Sequence, residues 1–388
     1  MRLRHRDGQI VHLGYCTNVH PGEDLPEIMA QLDRFAVTVR GLVGADRMGI
    51  GLWLAAPLAA HLAANPAAVT RLHRDLDARG LEAVTLNGFP YQSFHAPVVK
   101  YAVYQPDWLS DERMDYTINL ARILAGLLPP DAARGSVSTL PLAWRTAWTP
   151  QHSSAVRRKL DELAGKLAAV RGQTGRLVRV AFEPEPGCVV ESTDQAVTEL
   201  SGANTEYLGI CLDLAHLACA WEEPASALAR LSRAGLPVVK VQVSAALGAE
   251  YPQEASTAAA LRGYAEPRFL HQTRNAAGKA ADDLAEALDA GLAGPWRVHY
   301  HVPLHAAPQP PLHATLDVLR GALAELVGGE TAVCDHLDVE TYTWSVLPPA
   351  QRPSGPAQLA EGIAAELRFT RDELLALGLS ERSTVEVR

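Results

Sequence analysis

Long apolar runs are missing from this chain: no stretch approaches the roughly 18 uncharged residues that a membrane-spanning helix requires. The start, MRLRHRDGQIVHLGYC, puts charges where a secretory signal needs its apolar segment, so the expected address is cytoplasmic. Cysteine is scarce and scattered. Cys16, Cys188, Cys211, Cys219 and Cys334 are odd in number and form no C-x-x-C pair, which argues against a disulfide framework and a thiolate zinc site; they are read as buried small hydrophobes. Clustered Lys and Arg are also lacking. With a formal charge of −9, the chain offers no electrostatic footprint for a phosphate backbone, and nucleic acid is not an expected partner. Nucleotide loops are incomplete: GIGLW lacks the third glycine of a dinucleotide loop and AAGKA the leading glycine of a P-loop.

What is present is an alternation. The 388 residues, 48% hydrophobic and 20% charged, suit one α/β barrel domain over residues 1–388. Short apolar or β-branched runs occur at 10–16, 48–54, 82–87, 136–141, 177–183, 207–213, 238–244, 297–304 and 337–343. Most are separated by stretches with helical apolar spacing, such as Leu160, Leu163, Leu167 and Val170. Helices are expected around 26–43, 66–79, 110–128, 151–171, 194–201, 223–234, 279–291, 313–327 and 357–368. Repeated βα units predict a TIM (β/α)8 barrel. Nine runs for eight places imply an excursion after the seventh strand. The segment 245–296, with FLHQTR at 269–274, is expected to be that insertion, as a lid or as surface decoration, and RVHYHVPL (297–304) to complete it. The polar tail beyond 379 is expected to fray.

Active sites of such barrels lie at the C-terminal ends of the strands. There the fifth strand ends in Glu183 within FEPEPG, the sixth in Asp213 with His216 three residues on, the seventh offers Gln242, and the eighth presents Glu340. Oxygen-rich ligation with one or two imidazoles suits Mn, Mg, Fe, Co or Zn, and two glutamates on opposite walls also make an acid and base pair. Taken singly, each has an ordinary explanation: Asp213 as the cap of the following helix, Glu183 and Glu340 as loop carboxylates, His216 as a packed helix-start residue. The agreement of four strand ends is what points to a site.

The motifs VAFEPEPG, LGICLDLAH and LDVETYT resemble the fifth, sixth and eighth strands of the xylose-isomerase-like superfamily, which includes sugar epimerases and endonuclease IV. GYCTNVHPGE (14–23), YQPDW (104–108), STLPLAW (138–144), FLHQTR and VHYHVPLH (298–305) together resemble the Ebo-type metabolite-traffic proteins, the E member of that group, over almost the whole chain. The resemblance implies one divalent metal ion at Glu183, Asp213, His216 and Glu340. Superfamily members usually place a ligating histidine on strand seven, where this chain has Gln242. His299 or His301 is then expected to replace it, with His301 favoured as nearer the strand's C-terminal end; alternation puts both on one face. Substrate contacts are expected from Asn87, Trp144, Arg145, His271, Arg274 and Tyr342.

Two functions follow. One is a metal-dependent isomerase or epimerase acting on a polyhydroxylated or hydroxy-keto compound, with Glu183 and Glu340 shuttling the proton. The other is a carrier for a small polar metabolite that keeps the barrel without turnover, working with other proteins of the same metabolite-traffic pathway. An endonuclease IV-like metallohydrolase would need histidines at strands three and four, where this chain has Asn87 and Thr139.

Overall fold

The computed structural model describes residues 1–381. Eight parallel strands, Ile10–Cys16, Met48–Trp53, Leu81–Asn87, Gly135–Thr139, Val178–Phe182, Leu208–Asp213, Val238–Val243 and His336–Val339, pair in chain order, and the eighth closes on the first. This is the expected TIM barrel. Side chains fill its interior, including an ion pair between Lys240 and Asp338 at 3.4 Å. Gly51 makes room for that pair, since a Cβ there would lie 1.7 Å from Asp338 Oδ2. The five cysteines are free and buried.

Local chemistry sets the helices on the outside. Pro150–Thr174 begins where the Thr149 side chain accepts the His152 N–H and stops at Gly175, whose φ of 70° suits glycine. Its buried stripe is Leu160, Leu163, Leu167 and Val170. Pro356–Ala376 is longer than the expected 357–368, because its apolar spacing continues through Leu374. Helices Ala56–Ala63 and Ala255–Arg262 had no counterpart in the sequence reading.

The excursion after the seventh strand is a five-stranded antiparallel sheet whose strands lie between 247 and 314. The observed strand is Trp296–Val298, so only Arg297 and Val298 of the expected 297–304 belong to it. The His299 N–H makes a last cross-strand bond to the Gln272 carbonyl at 2.8 Å, and the Tyr300 N–H then turns back to the Val298 carbonyl at 2.7 Å, so the chain leaves the ladder before His301. The expected helix 279–291 shrinks to Leu284–Asp289, because Ala280–Ala281 is drawn into the sheet, and His313–Ala314 is likewise strand rather than helix. The eighth strand ends at Val339, after which Tyr342–Ser345 forms a 3-10 turn. Beyond 379, Ser380–Glu381 pairs with the N-terminal strand Arg2–Arg4 instead of fraying. The rest of that tail, 382–388, lies outside the described residues.

Candidate metal centre and pocket

The C-terminal ends of the strands deliver their polar residues to one place. Glu183 follows the fifth strand and is anchored by its N–H to the Thr139 carbonyl at 3.0 Å. Asp213 ends the sixth strand and caps helix Leu214–Cys219, its Oδ1 accepting from the His216 N–H at 2.9 Å and the Ser244 hydroxyl at 2.8 Å. The structural role weighed for Asp213 is therefore real. It occupies one oxygen and leaves Oδ2 without a partner, 3.7 Å from His301 Nε2.

Glu340, just past the eighth strand, accepts from the amides of Asn18 at 2.8 Å and Asn87 at 2.9 Å. Asn87, expected at the substrate, lines the pocket but spends its amide orienting this carboxylate. Gln242 pairs in register with Asp213 and Asp338, is fully buried, and neither of its amide atoms has a partner.

Three imidazoles complete the floor. His216 and His299 approach at 2.9 Å, Nε2 to Nε2, and the rings of His299 and His301 are 5.3 Å apart. Ligand atoms lie mutually within 4.8 Å in three overlapping sets: Glu183 with Asp213 and His216, Asp213 with His301 and Glu340, and His216 with His299 and His301. Burial pushes His216 down to about 4, against the pull of Asp213, and burial followed by the neighbouring imidazoles holds His299 well below its ordinary range. Burial also raises Glu183, with the charges of Glu340 and Asp213 adding to it, and Glu340 is raised mainly by burial.

The fit to a divalent ion rests on buried, unpartnered atoms. Glu183 Oε2, Asp213 Oδ2, both amide atoms of Gln242 and His301 Nε2 are sealed from water and bond to nothing among the described residues. Buried polar atoms are ordinarily satisfied, and each that is not costs about 1–3 kcal/mol. Those of Glu183, Asp213 and His301, which fall in overlapping sets of ligand atoms within 4.8 Å, fit a bound cation with oxygen and imidazole ligands.

Above the floor the pocket turns apolar. Its empty volume is about 520 Å³, mouth included, and Phe89, Phe94, Val99, Phe269, Leu270 and Tyr342 line the upper part. Insertion and third loop are tied together there, the N–H groups of Val99 and Lys100 both bonding the Arg268 carbonyl at 2.7 and 3.0 Å. Phe94, Phe269 and Tyr342 pack with centroids 4.9 to 5.7 Å apart. Lys100 reaches the mouth but is paired with Asp283.

Four of the expected substrate residues do not line this pocket. Arg145 is bound by Asp282 at 2.5 Å and stacks on Trp144, which packs against Tyr104 at 4.8 Å. His271 bonds Glu266 at 2.9 Å and the His299 carbonyl at 3.0 Å, and Arg274 is held by Glu191. Each points to a partner that neutralises or satisfies it, which nearness in sequence to a strand end does not reveal. Tyr342 does line the pocket, its ring 4.8 Å from that of His301.

Several residues escaped the sequence reading. Asn18 lies just past the first strand, where the strand-end rule that found Glu183 applies equally. Glu185, two residues after Glu183, is pushed up to about 8 by burial and accepts from the Tyr104 hydroxyl at 2.6 Å. Gln272 joins this network through Tyr104 at 2.8 Å. Of the aromatic roof, nothing in the sequence marks Phe94 and Phe269 as belonging to the site.

No family model matches this chain, and no curated protein matches it. Solved structures do. A xylose isomerase-like TIM barrel protein from Mycobacterium smegmatis in complex with magnesium aligns at a TM-score of 0.53 and 12% identity, over 94% of this chain and 98% of that one. D-allulose 3-epimerase from Methylomonas sp. in complex with D-allulose aligns at 0.51 and 12%, over 96% and 99%. A D-tagatose 3-epimerase-like protein aligns at 0.50 and 12%, over 94% and 98%. At such identities the likeness establishes the fold alone, a closed eight-stranded TIM barrel.

Proposed function

We propose that this protein is a metal-dependent isomerase or epimerase acting on a hydroxy-keto compound of specialised metabolism. The observation that carries this is the meeting of two buried glutamates, Glu183 and Glu340, with His216 and His301 at the floor of one pocket, where the ligand atoms of Asp213 lie within 4.8 Å of them and its Oδ2 has no partner. A divalent ion held by Glu183, Asp213, His301 and Glu340 would supply Lewis acidity to adjacent substrate oxygens. One glutamate takes the proton from a carbon bearing a hydroxyl beside the carbonyl. The other, carrying a proton at that stage, returns it to the opposite face. Asn18 and Asn87 hold the Glu340 carboxylate in its orientation. The roof of Phe94, Phe269 and Tyr342 excludes water and favours a substrate with an apolar face opposite its oxygens.

A second reading is a carrier, supported by the neutral Gln242 on strand seven and by the motif resemblance to metabolite-traffic proteins. Incubating the protein with extracts of its own cells in heavy water, followed by mass spectrometry of retained compounds, separates the two. An isomerase incorporates deuterium, and both Glu183→Gln and Glu340→Gln abolish it without unfolding the chain. A tightly retained but unlabelled compound would sink the isomerase reading and leave the carrier.

A further inference from the structure

The insertion after the seventh strand brings His299 within 2.9 Å of His216, and the hydrogen bonds around these rings decide where their protons are. His216 Nδ1 lies 2.9 Å from the Pro184 carbonyl, and His301 Nδ1 lies 2.6 Å from the Glu340 carbonyl. A carbonyl only accepts, so in both rings the proton sits on Nδ1. His299 Nδ1 faces Gln272 Oε1 at 2.8 Å. That amide cannot be turned round, because its Nε2 donates to the Pro186 carbonyl at 2.9 Å and to the Tyr104 hydroxyl at 2.8 Å. His299 therefore donates from Nδ1 as well.

With each ring's one proton committed outward, the three Nε2 atoms turn lone pairs inward, and the three rings' ligand atoms lie within 4.8 Å of one another. Two such lone pairs at 2.9 Å repel unless a cation lies beside them. Metal-bound histidines are oriented in this way, with the far nitrogen donating to a carbonyl or amide oxygen. Zinc–imidazole bonds of about 2.1 Å place neighbouring nitrogens about 3 to 3.4 Å apart, close to the spacing here.

We propose that His299 is a metal ligand, forming with His216 and His301 an imidazole face that makes this centre select zinc or a similar borderline ion over magnesium. The inference rests on the metal-dependent reading above and adds to it. Imidazole suits zinc, cobalt and nickel, whereas magnesium keeps oxygen ligands and water. The insertion is thereby an element that donates ligands from outside the barrel. Gln272, Tyr104 and Glu185 act as positioning residues that hold the His299 ring.

The test uses the full chain, stripped with chelator and titrated separately with zinc and with magnesium, with retained metal measured by mass spectrometry. X-ray absorption at the zinc edge of the wild type counts imidazoles without any variant, and three are expected. His299→Ala should weaken zinc binding by at least about tenfold and leave magnesium binding unchanged. Zinc bound by the wild type through fewer than three imidazoles, or with affinity untouched by His299→Ala, would overturn this inference while leaving a metal centre in place. A wild type that retains neither ion would overturn both.

Discussion

Asp213→Asn separates the two duties of one carboxylate. Oδ1 accepts from the His216 N–H and the Ser244 hydroxyl, while Oδ2 is bare and faces His301. Asparagine retains the first oxygen and replaces only the second with an amide. The stripped variant should therefore keep its cap and melt within about 1 kcal/mol of the stripped wild type, as for substitutions that break no buried bond. Asp213→Ala instead removes the acceptor of two buried donors, and the lost cap and hydroxyl bond together cost about 2 to 4 kcal/mol. For 388 residues, an unfolding entropy of about 2.1 cal/mol/K per residue gives about 0.8 kcal/mol per degree. An ion at one hundred times its Kd adds about 2.7 kcal/mol, hence about 3 °C in the wild type. Calorimetry with and without the ion, beside metal analysis, reads both effects. Asp213→Asn should lose the ion-dependent increment and most of the bound metal. If it keeps the full increment, Oδ2 is not a ligand and the assignment of the centre fails.

Two further outcomes probe the scaffold. Glu366 is buried and accepts from the Leu304 N–H, the Thr341 hydroxyl and the Trp344 indole, yet burial pushes it up to about 7. Because the folded state then holds a proton that the unfolded chain has released, stability falls as pH rises from about 4.5 to about 7, by about 3 kcal/mol from this group. Glu366→Gln lacks this slope, so denaturant curves of the two proteins should converge or cross over that window; parallel profiles would refute the shift. Gly51→Ala drives a methyl group to 1.7 Å from Asp338 Oδ2 beside Lys240. It should destabilise by at least about 3 kcal/mol, as overpacking joined to a disturbed buried ion pair does, and a melting temperature equal to the wild type's would show that the barrel interior has more room than described.

Strand ends explain why residues that the fold brings together at the candidate site could be read from the chain. In a βα repeat, the residue closing a strand has a fixed address at the barrel mouth whatever follows, so Glu183, Asp213 and Glu340 were visible as a set. The same rule covers Asn18, just past the first strand. Gln242 stands at the end of the seventh strand by the same rule, and neither atom of its amide has a partner among the described residues. Position misled where a residue's partner could not be seen: Arg145, near a strand end, and Arg274, in the insertion motif, carry charges that Asp282 and Glu191 neutralise. Alternation likewise placed His299 and His301 on one strand face, whereas both reach the floor from a loop after the strand has ended.

By itself, then, the sequence determined the eightfold alternation, the outward helices and the carboxylates at the mouth, because periodicity and strand-end position are local properties of the chain. Tertiary structure alone decided which atoms of those residues are free to bind. His216 meets His299 across 83 positions, and Asn18 meets Glu340 across 322. The aromatic roof unites the third loop with the insertion through the Arg268 carbonyl. Such contacts depend on how far each loop travels and on which hydrogen bonds claim each ring nitrogen, and neither is written in the spacing of residues along the chain.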